Sequence, residues 1–437
     1  MLRGTRAILA VGVVGAVVRI AFAIDNANAR AAVDSDVYRW IAQNLADGAG
    51  YVLADNSGKV VATAQHPPVL TGVLAALDVV GLTSELQQRI VLCLIAAVGV
   101  VITGLVARHI AGTAAGVVAA TIAALHPLWF QHAGFGVSES VYLVVLPFAL
   151  LLGLRAADQP TWQRMAALGA ALGVVALTRS EGVLFIVALV VPLAIVVCPT
   201  WKERLASVLV AGVATLLVIT PWLARNYAEF GGLTLSTNRG VTLAGGWCPS
   251  AFGLTLGGVN RGGWDLYCVL DEYNDARADP PPEGHDTWDE LAIDNELTSR
   301  SIDFGLEHLG DVPGVVAARL GRMAGVYQLD DQLTFDGNEG RDRTAQRIGQ
   351  VIHLLLLPFA IFGATRVARR YLPVLLAGPV VAVMVAVAFY GSTRIRAPAE
   401  PAIAVLAAIG MLALYQRFFG TPADVSPVLD TVQPESS

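Results

Sequence analysis

What most constrains this chain is a succession of apolar stretches, each long enough, or nearly so, to cross a bilayer. They fall at about 7–24, 90–107, 111–128, 141–154, 164–178, 182–198, 203–222, 348–365, 371–390 and 399–415. Roughly 20 apolar residues make a spanning helix, and helices satisfy their own backbone in hydrocarbon. The expected fold class is therefore an α-helical polytopic membrane protein with about ten transmembrane helices. Hydrophobic residues make up 55% of the chain, charged residues 15%, and the mean hydropathy is +0.60, which excludes an ordinary soluble domain. Arg3 and Arg6, an apolar run and an Ala-Asn-Ala near residue 28 mimic a signal peptide, but residues 7–24 read as a retained anchor. Arg19, near the outer end of that run, is placed to snorkel.

A further stretch, Val69–Leu82, is short and contains Asp78. If it does not cross, Arg3/Arg6, Arg108, Arg155/Arg164, Lys202/Arg204, Arg366/Arg369/Arg370 and Arg417 all fall on one side. The positive-inside rule makes that side cytoplasmic, so Val69–Leu82 is re-entrant or interfacial and both chain ends lie inside. Residues 25–89, the loop 126–140, the turn 178–182, residues 224–347 and the turn 391–398 then lie outside.

The formal charge of −6 is unevenly distributed: residues 224–347 carry 20 acids against 10 arginines, and the rest carries 15 acids against 19 bases. No nucleic-acid footprint is present. Arg outnumbers Lys 27 to 2, which points to a GC-rich bacterial genome. The expected organisation is a transmembrane module over 1–223 whose first outer loop is 25–89, and an extracytoplasmic soluble domain over 224–347. C-terminal transmembrane helices over 348–417 and a disordered cytoplasmic tail over 418–437 complete it. The outer domain is expected to be mixed α/β. GGLTLSTNRGVTLAGGW has β-type residues and turn glycines, residues 278–290 are proline-rich and acidic, and 288–308 and 312–327 look helical. Cys248 and Cys268 both fall in it, so a disulfide is open there, whereas Cys93 and Cys198 read as inert packing residues.

The stretch Asp34–Tyr51 holds two aspartates at the start of a short helical pattern with Val37, Trp40, Ile41 and Leu45 on one face. Two carboxylates at the edge of a bilayer suggest chemistry on a lipid-borne substrate. Helix capping needs only one of them, and Asp36 fits that role better.

Asp34-x-x-x-Tyr38, Ala42, Leu45, Gly48 and Gly50-Tyr51 resemble the first outer loop of GT-C-type membrane glycosyltransferases. The branch they resemble holds the protein O-mannosyltransferases and the aminoarabinose transferases of lipid A. The resemblance continues through His66-Pro67-Pro68, Ser138-Glu139, Leu177–Gly182, TPWLARNYAEFGGLTLSTNRG (220–240) and Arg394–Pro398. It implies an inverting transfer of sugar from a polyprenyl-phosphate donor to an acceptor hydroxyl on a glycan, lipid or protein. The active site would face the extracytoplasmic side of the cytoplasmic membrane.

In that reading Asp34 aligns with the catalytic aspartate and acts as general base, with Asp36 the fallback and Glu139 the second acidic residue. His66, Arg179, Arg225 and Arg394 or Arg396 are candidates for the donor phosphate, and Tyr38, Asn226 and Asn238 for positioning substrate. Related aminoarabinose transferases carry lysine just before the paired prolines, where this chain has His66. His126 and His132, flanking Trp129 and Phe130, read as an interfacial belt. Asp34-Ser-Asp36 also resembles the DxD pair that binds a metal in some GT-C enzymes, but two carboxylates are too few for a dedicated site. No required metal is predicted; a divalent metal, if used, would sit at Asp34/Asp36. The alternatives are a transporter or flippase of a lipid-linked sugar, which would show internal repeats, and a non-catalytic glycolipid-binding subunit.

Overall fold

The computed structural model describes residues 2–28, 33–54, 58–278, 288–338 and 341–420. Most of the proline-rich stretch 278–290 and the tail beyond residue 420 lie outside the described residues. The first half of the chain forms α1 (Leu2–Asp25), α2 (Val33–Ala46), β1 (Val52–Ala54), β2 (Val60–Ala62), α3 (Pro68–Val79), α4 (Glu85–Leu125) and α5 (Pro127–Phe135). It continues through α6 (Glu139–Asp158), α7 (Trp162–Thr178), α8 (Val191–Val197) and α9 (Trp201–Phe230). Then come α10 (Arg239–Gly246), α11 (Pro249–Phe252), α12 (Leu266–Ala278), α13 (Glu290–Glu307), α14 (Val312–Ala324) and α15 (Leu329–Asn338). The chain closes with α16 (Arg343–Ala364), α17 (Leu372–Ala388) and α18 (Glu400–Phe419).

Among the described residues, eight helices are long and apolar enough to cross a membrane. One of them, α4, is two helices merged across a kink at Ala111 and Gly112. The seventeen-residue α7 is a further apolar helix packed on α9. With both halves of α4 and with α7, these elements account for the ten stretches read from the sequence. By contrast α3 has 12 residues and rises about 18 Å, short of the ~30 Å hydrocarbon core. Its length fits the re-entrant or interfacial placement expected from the charge asymmetry.

Capping boxes start α4 (Ser84 with Gln87) and α9 (Thr200 with Glu203). The shared core joins α4, α6, α7, α17 and α18 through Val106, Tyr142, Leu146, Leu172, Val374 and Ile409. Bilayer helices gain nothing by hiding apolar area from lipid, so small residues let backbones approach. A Cβ on Gly410 would lie 2.0 Å from the Phe359 carbonyl oxygen, which fixes how closely α16 meets α18.

The basic loops meet at one end of the bundle. His109 and Asp158 are 2.8 Å apart, the Tyr371 hydroxyl donates to Asp158 at 2.5 Å, and Arg164 donates to the Arg155 carbonyl at 2.7 Å. Arg19 departs from its expected place. It is buried, and its guanidinium donates to the Ala123, Ala124 and Gly15 carbonyls. The last carbonyls of α4 have no intrahelical partner, and a cation satisfies them better than lipid does.

The segment between α9 and α16 departs from the expected mixed α/β character. It is helical among the described residues, whose strands are the three-residue hairpin pair of the first outer loop, Val52↔Ala62 to Ala54↔Val60. The stretch after α9 turns on its own hydroxyls, with Thr234 Oγ1 donating to the Ser236 carbonyl at 2.8 Å. Residues from Arg239 onward then form α10, which lies so close to α13 that Gly240 N–H donates to Asp294 Oδ1 at 2.5 Å. The helices expected over 288–308 and 312–327 are α13 and α14. Cys248 and Cys268 are joined in a disulfide that ties the start of α11 to α12. Buried Cys93 and Cys198 are free.

Candidate functional site

Helix α2 begins at Val33, so both aspartates lie in its first turn. Two residues along a helix is about 200° of rotation, and the pair therefore points to different sides. Asp36 is inside the helix, not its cap, and lies in electrostatic range of Arg89. The buried face is also rotated from the expected one: Val37, Tyr38, Ile41 and Ala42 are buried, while Trp40 is 54% exposed. Asp34 is one turn before Tyr38 and shares that buried side.

Three distant segments converge on Asp34. Arg394, in the 3-10 turn Thr393–Arg396, has Nη2 2.8 Å from Asp34 Oδ2 and Nε 2.5 Å from Glu139 Oε1. Glu139 is the first residue of α6 and fully buried, where the free N–H groups of the helix start favour a carboxylate. Arg179, at the end of α7, holds Glu139 at 2.6 Å and Glu181 at 2.5 Å and donates to Ser138 Oγ at 3.2 Å. Arg179 therefore bridges Glu139 and Glu181.

Asp34 sits in a recess, hemmed in by protein yet with 35% of its side chain reachable by solvent. That enclosure opposes ionisation. The Arg394 guanidinium, and secondarily His66, more than offset it and hold the carboxyl below its usual range. His66 is buried, its ring stacked 4.2 Å from the Tyr38 ring, and the Tyr38 hydroxyl bonds to Ser138. The Tyr51 hydroxyl donates to the His66 carbonyl at 2.9 Å, and Pro68 starts α3 directly behind it. The His66 Nε2 atom is buried without a hydrogen-bond partner. Burial lowers the His66 pKa despite the pull of Asp34, with Arg394 and Arg179 acting in the same direction as burial, so the ring is neutral at pH 7.

The other expected phosphate ligands are elsewhere. Arg225 donates to the Thr63 carbonyl at 2.6 Å and the Tyr51 carbonyl at 2.7 Å, with its guanidinium over the Tyr51, Trp222 and Phe230 rings. It clamps the first outer loop onto α9. Beside it, Asn226 accepts from Arg225 at 2.9 Å and donates to the Thr234 carbonyl at 2.7 Å, a structural bridge. Asn238 begins α10 next to Thr237, whose N–H donates to the Ala64 carbonyl at 3.0 Å. Arg396 turns away from Arg394, since two residues on a 3-10 turn face different ways. It donates to Glu400 at 2.7 Å, Gln350 at 3.0 Å and the Met323 carbonyl at 3.1 Å.

Two groups escaped the sequence reading. His132 is no belt residue: it is buried in α5 within electrostatic range of Glu139, Arg341, Arg394 and Arg179, and burial pushes its pKa down to about 4. Glu290, at the start of α13, accepts from Thr63 Oγ1 at 3.1 Å, from Ala64 N–H at 3.3 Å and from Thr237 Oγ1, so the outer segment grips the strand leading to His66. Neither has a local spacing signal; each is recruited by contacts across more than a hundred residues or between helices. Among the described residues no group of three His, Cys, Asp or Glu is gathered to hold a metal. Asp34 and Asp36 lie on different sides of the first turn of α2, and a cation reaching both Asp34 and Glu139 would have to displace Arg394.

Residues 65–224 match the family model described as dolichyl-phosphate-mannose-protein mannosyltransferase. No curated protein matches the chain in sequence. Among solved structures, the chain is similar to the Archaeoglobus fulgidus oligosaccharyltransferase in complex with Zn and sulfate. The identity is 14% and the TM-score 0.53, over 93% of this chain and 49% of that one. The same archaeal enzyme, AglB, with an inhibitory peptide and a dolichol-phosphate gives 14% and 0.53 over 96% and 52%. This chain has the GT-C membrane glycosyltransferase fold. It spans about half the length of those oligosaccharyltransferase chains. ArnT from Cupriavidus metallidurans bound to undecaprenyl phosphate aligns at 15% identity and a TM-score of 0.43, over 92% of this chain and 77% of that one. The resemblance read from the outer-loop residues is thus borne out as a GT-C-type, multi-pass membrane architecture. The family match takes in His66, Glu139 and Arg179, while Asp34 and Arg394 lie outside it.

Proposed function

We propose that this GT-C chain transfers a sugar from a polyprenyl-phosphate donor to an acceptor hydroxyl on the extracytoplasmic side of a cytoplasmic membrane. The observation that carries the reading is the meeting of Asp34 and Arg394, 2.8 Å apart, with Glu139 and Arg179 beside them. This pairs a carboxylate base with guanidinium groups suited to a phosphate leaving group. The family match and the fold support the same chemistry, and the cluster lies at helix ends other than those that gather the basic loops.

In the proposed step, Asp34 takes the proton of the acceptor hydroxyl as its oxygen attacks the anomeric carbon. The bond from that carbon to the phosphate oxygen breaks on the opposite side, and the electron pair leaves with the polyprenyl phosphate. One attack from the far face inverts the anomeric centre. Arg394 and Arg179 meet the growing phosphate charge, and the neutral His66 ring offers an N–H donor. No step needs a metal. The segment between α9 and α16, gripping the first loop through Glu290, is placed to shape the acceptor side.

The test is sugar transfer in membranes, with radiolabelled polyprenyl-phosphate sugars as donors and extracted envelope as acceptor. Asp34→Asn is expected to lose about a hundredfold or more of turnover while still binding donor. Asp36→Asn, on the other side of α2, is expected to retain activity. Wild type that consumes no donor but flips lipid-linked sugar in liposomes would replace this reading with a transporter.

A further inference from the structure

We propose that Arg394 is a shared ligand: the donor's phosphate competes with Asp34 for its guanidinium, so that binding the donor is what releases the base. The inference rests on the donor reading above and adds an order of events to it.

The resting cluster is electrostatically closed. Arg179 and Arg394 face Asp34, Glu139 and Glu181, so the carboxylates named here outnumber the guanidinium groups. An arriving phosphate finds no surplus positive charge and must displace a carboxylate. The two carboxylates on Arg394 are not equally replaceable. Glu139 is fully buried at a helix start and also held by Arg179, and removing the partner of a buried charge is costly. Asp34 is 35% reachable by solvent and, among the described residues, is ion-paired to Arg394 alone, so it is the ligand that yields. Water can take over part of what Asp34 loses, and nothing can do that for Glu139.

Displacement changes the chemistry of Asp34 in the useful direction. Paired with a guanidinium it is a weak base, because that cation stabilises its ionised form. With Arg394 turned to the phosphate, Asp34 loses its cation and gains an anionic neighbour, and both changes raise its affinity for a proton. The base becomes competent only when a donor is present. In the empty enzyme it stays masked.

The experiment measures the affinity of undecaprenyl phosphate for the full-length protein in nanodiscs, with Asp34→Asn, Asp36→Asn, Arg394→Gln and the Asp34→Asn/Arg394→Gln double variant. Competition predicts that Asp34→Asn binds about tenfold tighter than wild type. It predicts that Asp36→Asn, which removes the same charge from another side of α2, is unchanged. The gain from Asp34→Asn should vanish in the Arg394→Gln background. A gain that persists without Arg394 reports bulk repulsion and overturns the proposal, as does unchanged or weaker binding by Asp34→Asn. If Arg394→Gln does not fold, Arg394→Lys, which keeps the charge but loses the forked contact, takes its place as the background. Wild type that binds undecaprenyl phosphate with an Asp34→Asn variant of equal affinity leaves the donor reading intact and removes only the competition. Failure of both proteins to bind removes the two together.

Discussion

At the scale of single residues, the proposed base is held ionised in the empty protein chiefly by one guanidinium. Enclosure alone would raise the Asp34 pKa, and Arg394 with His66 brings it below the usual carboxylate value. The pair therefore adds stability at neutral pH, and that contribution is lost as pH falls through the lowered value. Arg394→Gln removes the larger part of the offset and leaves enclosure opposed by His66 alone of the two. The acid limb of kcat/KM for the donor, which reports the free enzyme, is expected to move to higher pH than in wild type, and a pH–rate profile at low donor checks it. An acid limb that stays in place would mean that Asp34 is not the titrating base. The sequence singles out Asp34 because its distance to Tyr38 resembles the GT-C pattern. Its ion pair is not legible there, since Asp34 and Arg394 are 360 positions apart and nothing local to either announces the other. Arg19 shows the same limit: a cation in an apolar run reads as a snorkelling residue until the carbonyls it caps come from a helix a hundred residues away.

At the scale of elements, the outer loop owes its position to side chains first read as substrate ligands. Arg225 holds the Tyr51 and Thr63 carbonyls and so fixes both arms of the β1–β2 hairpin to α9. Arg225→Ala is expected to cost about 1–3 kcal/mol, the range of a lost hydrogen bond to a charged group. Arg225→Lys should restore little of it, because a single ammonium cannot replace the planar fork between two carbonyls and three rings. Thermal unfolding in detergent reads both variants, and full stability of Arg225→Ala would refute the clamp. The kink in α4 makes a separate case. Gly112 has φ 81° and ψ −175°, a conformation open almost only to glycine, with no heavy atom within 4 Å of where a Cβ would stand. Gly112→Ala is thus expected to destabilise by about 1–3 kcal/mol through the backbone alone. Hydropathy located both halves of this hairpin of helices. Residue type misled after Phe230, where β-type residues and glycines became turns and α10 packed on α13.

At the scale of the whole molecule, the sidedness of the proposal rests on two independent features that point the same way. The basic residues Arg108, Arg155, Arg164 and Arg370 gather with His109, Asp158 and Tyr371 at one end of the bundle. The disulfide Cys248–Cys268 lies in the segment that the alternation of spans puts at the other end. The positive-inside rule makes the first end cytoplasmic, and disulfides persist where the second end would then be, in an oxidising compartment. The sequence carried this much because charge bias and span count need no knowledge of packing. The orientation predicts a labelling pattern. Leu233 is 72% exposed just after α9, and Gln159 follows α6 at the basic end. A membrane-impermeant maleimide on intact cells is expected to label Leu233→Cys and to label Gln159→Cys only after permeabilisation. The denatured wild type should yield two thiols without reductant, from Cys93 and Cys198, and four with it. The reverse labelling pattern would put Asp34 and Arg394 on the cytoplasmic side. An acceptor outside the membrane would then be out of reach, whatever the chemistry of the cluster.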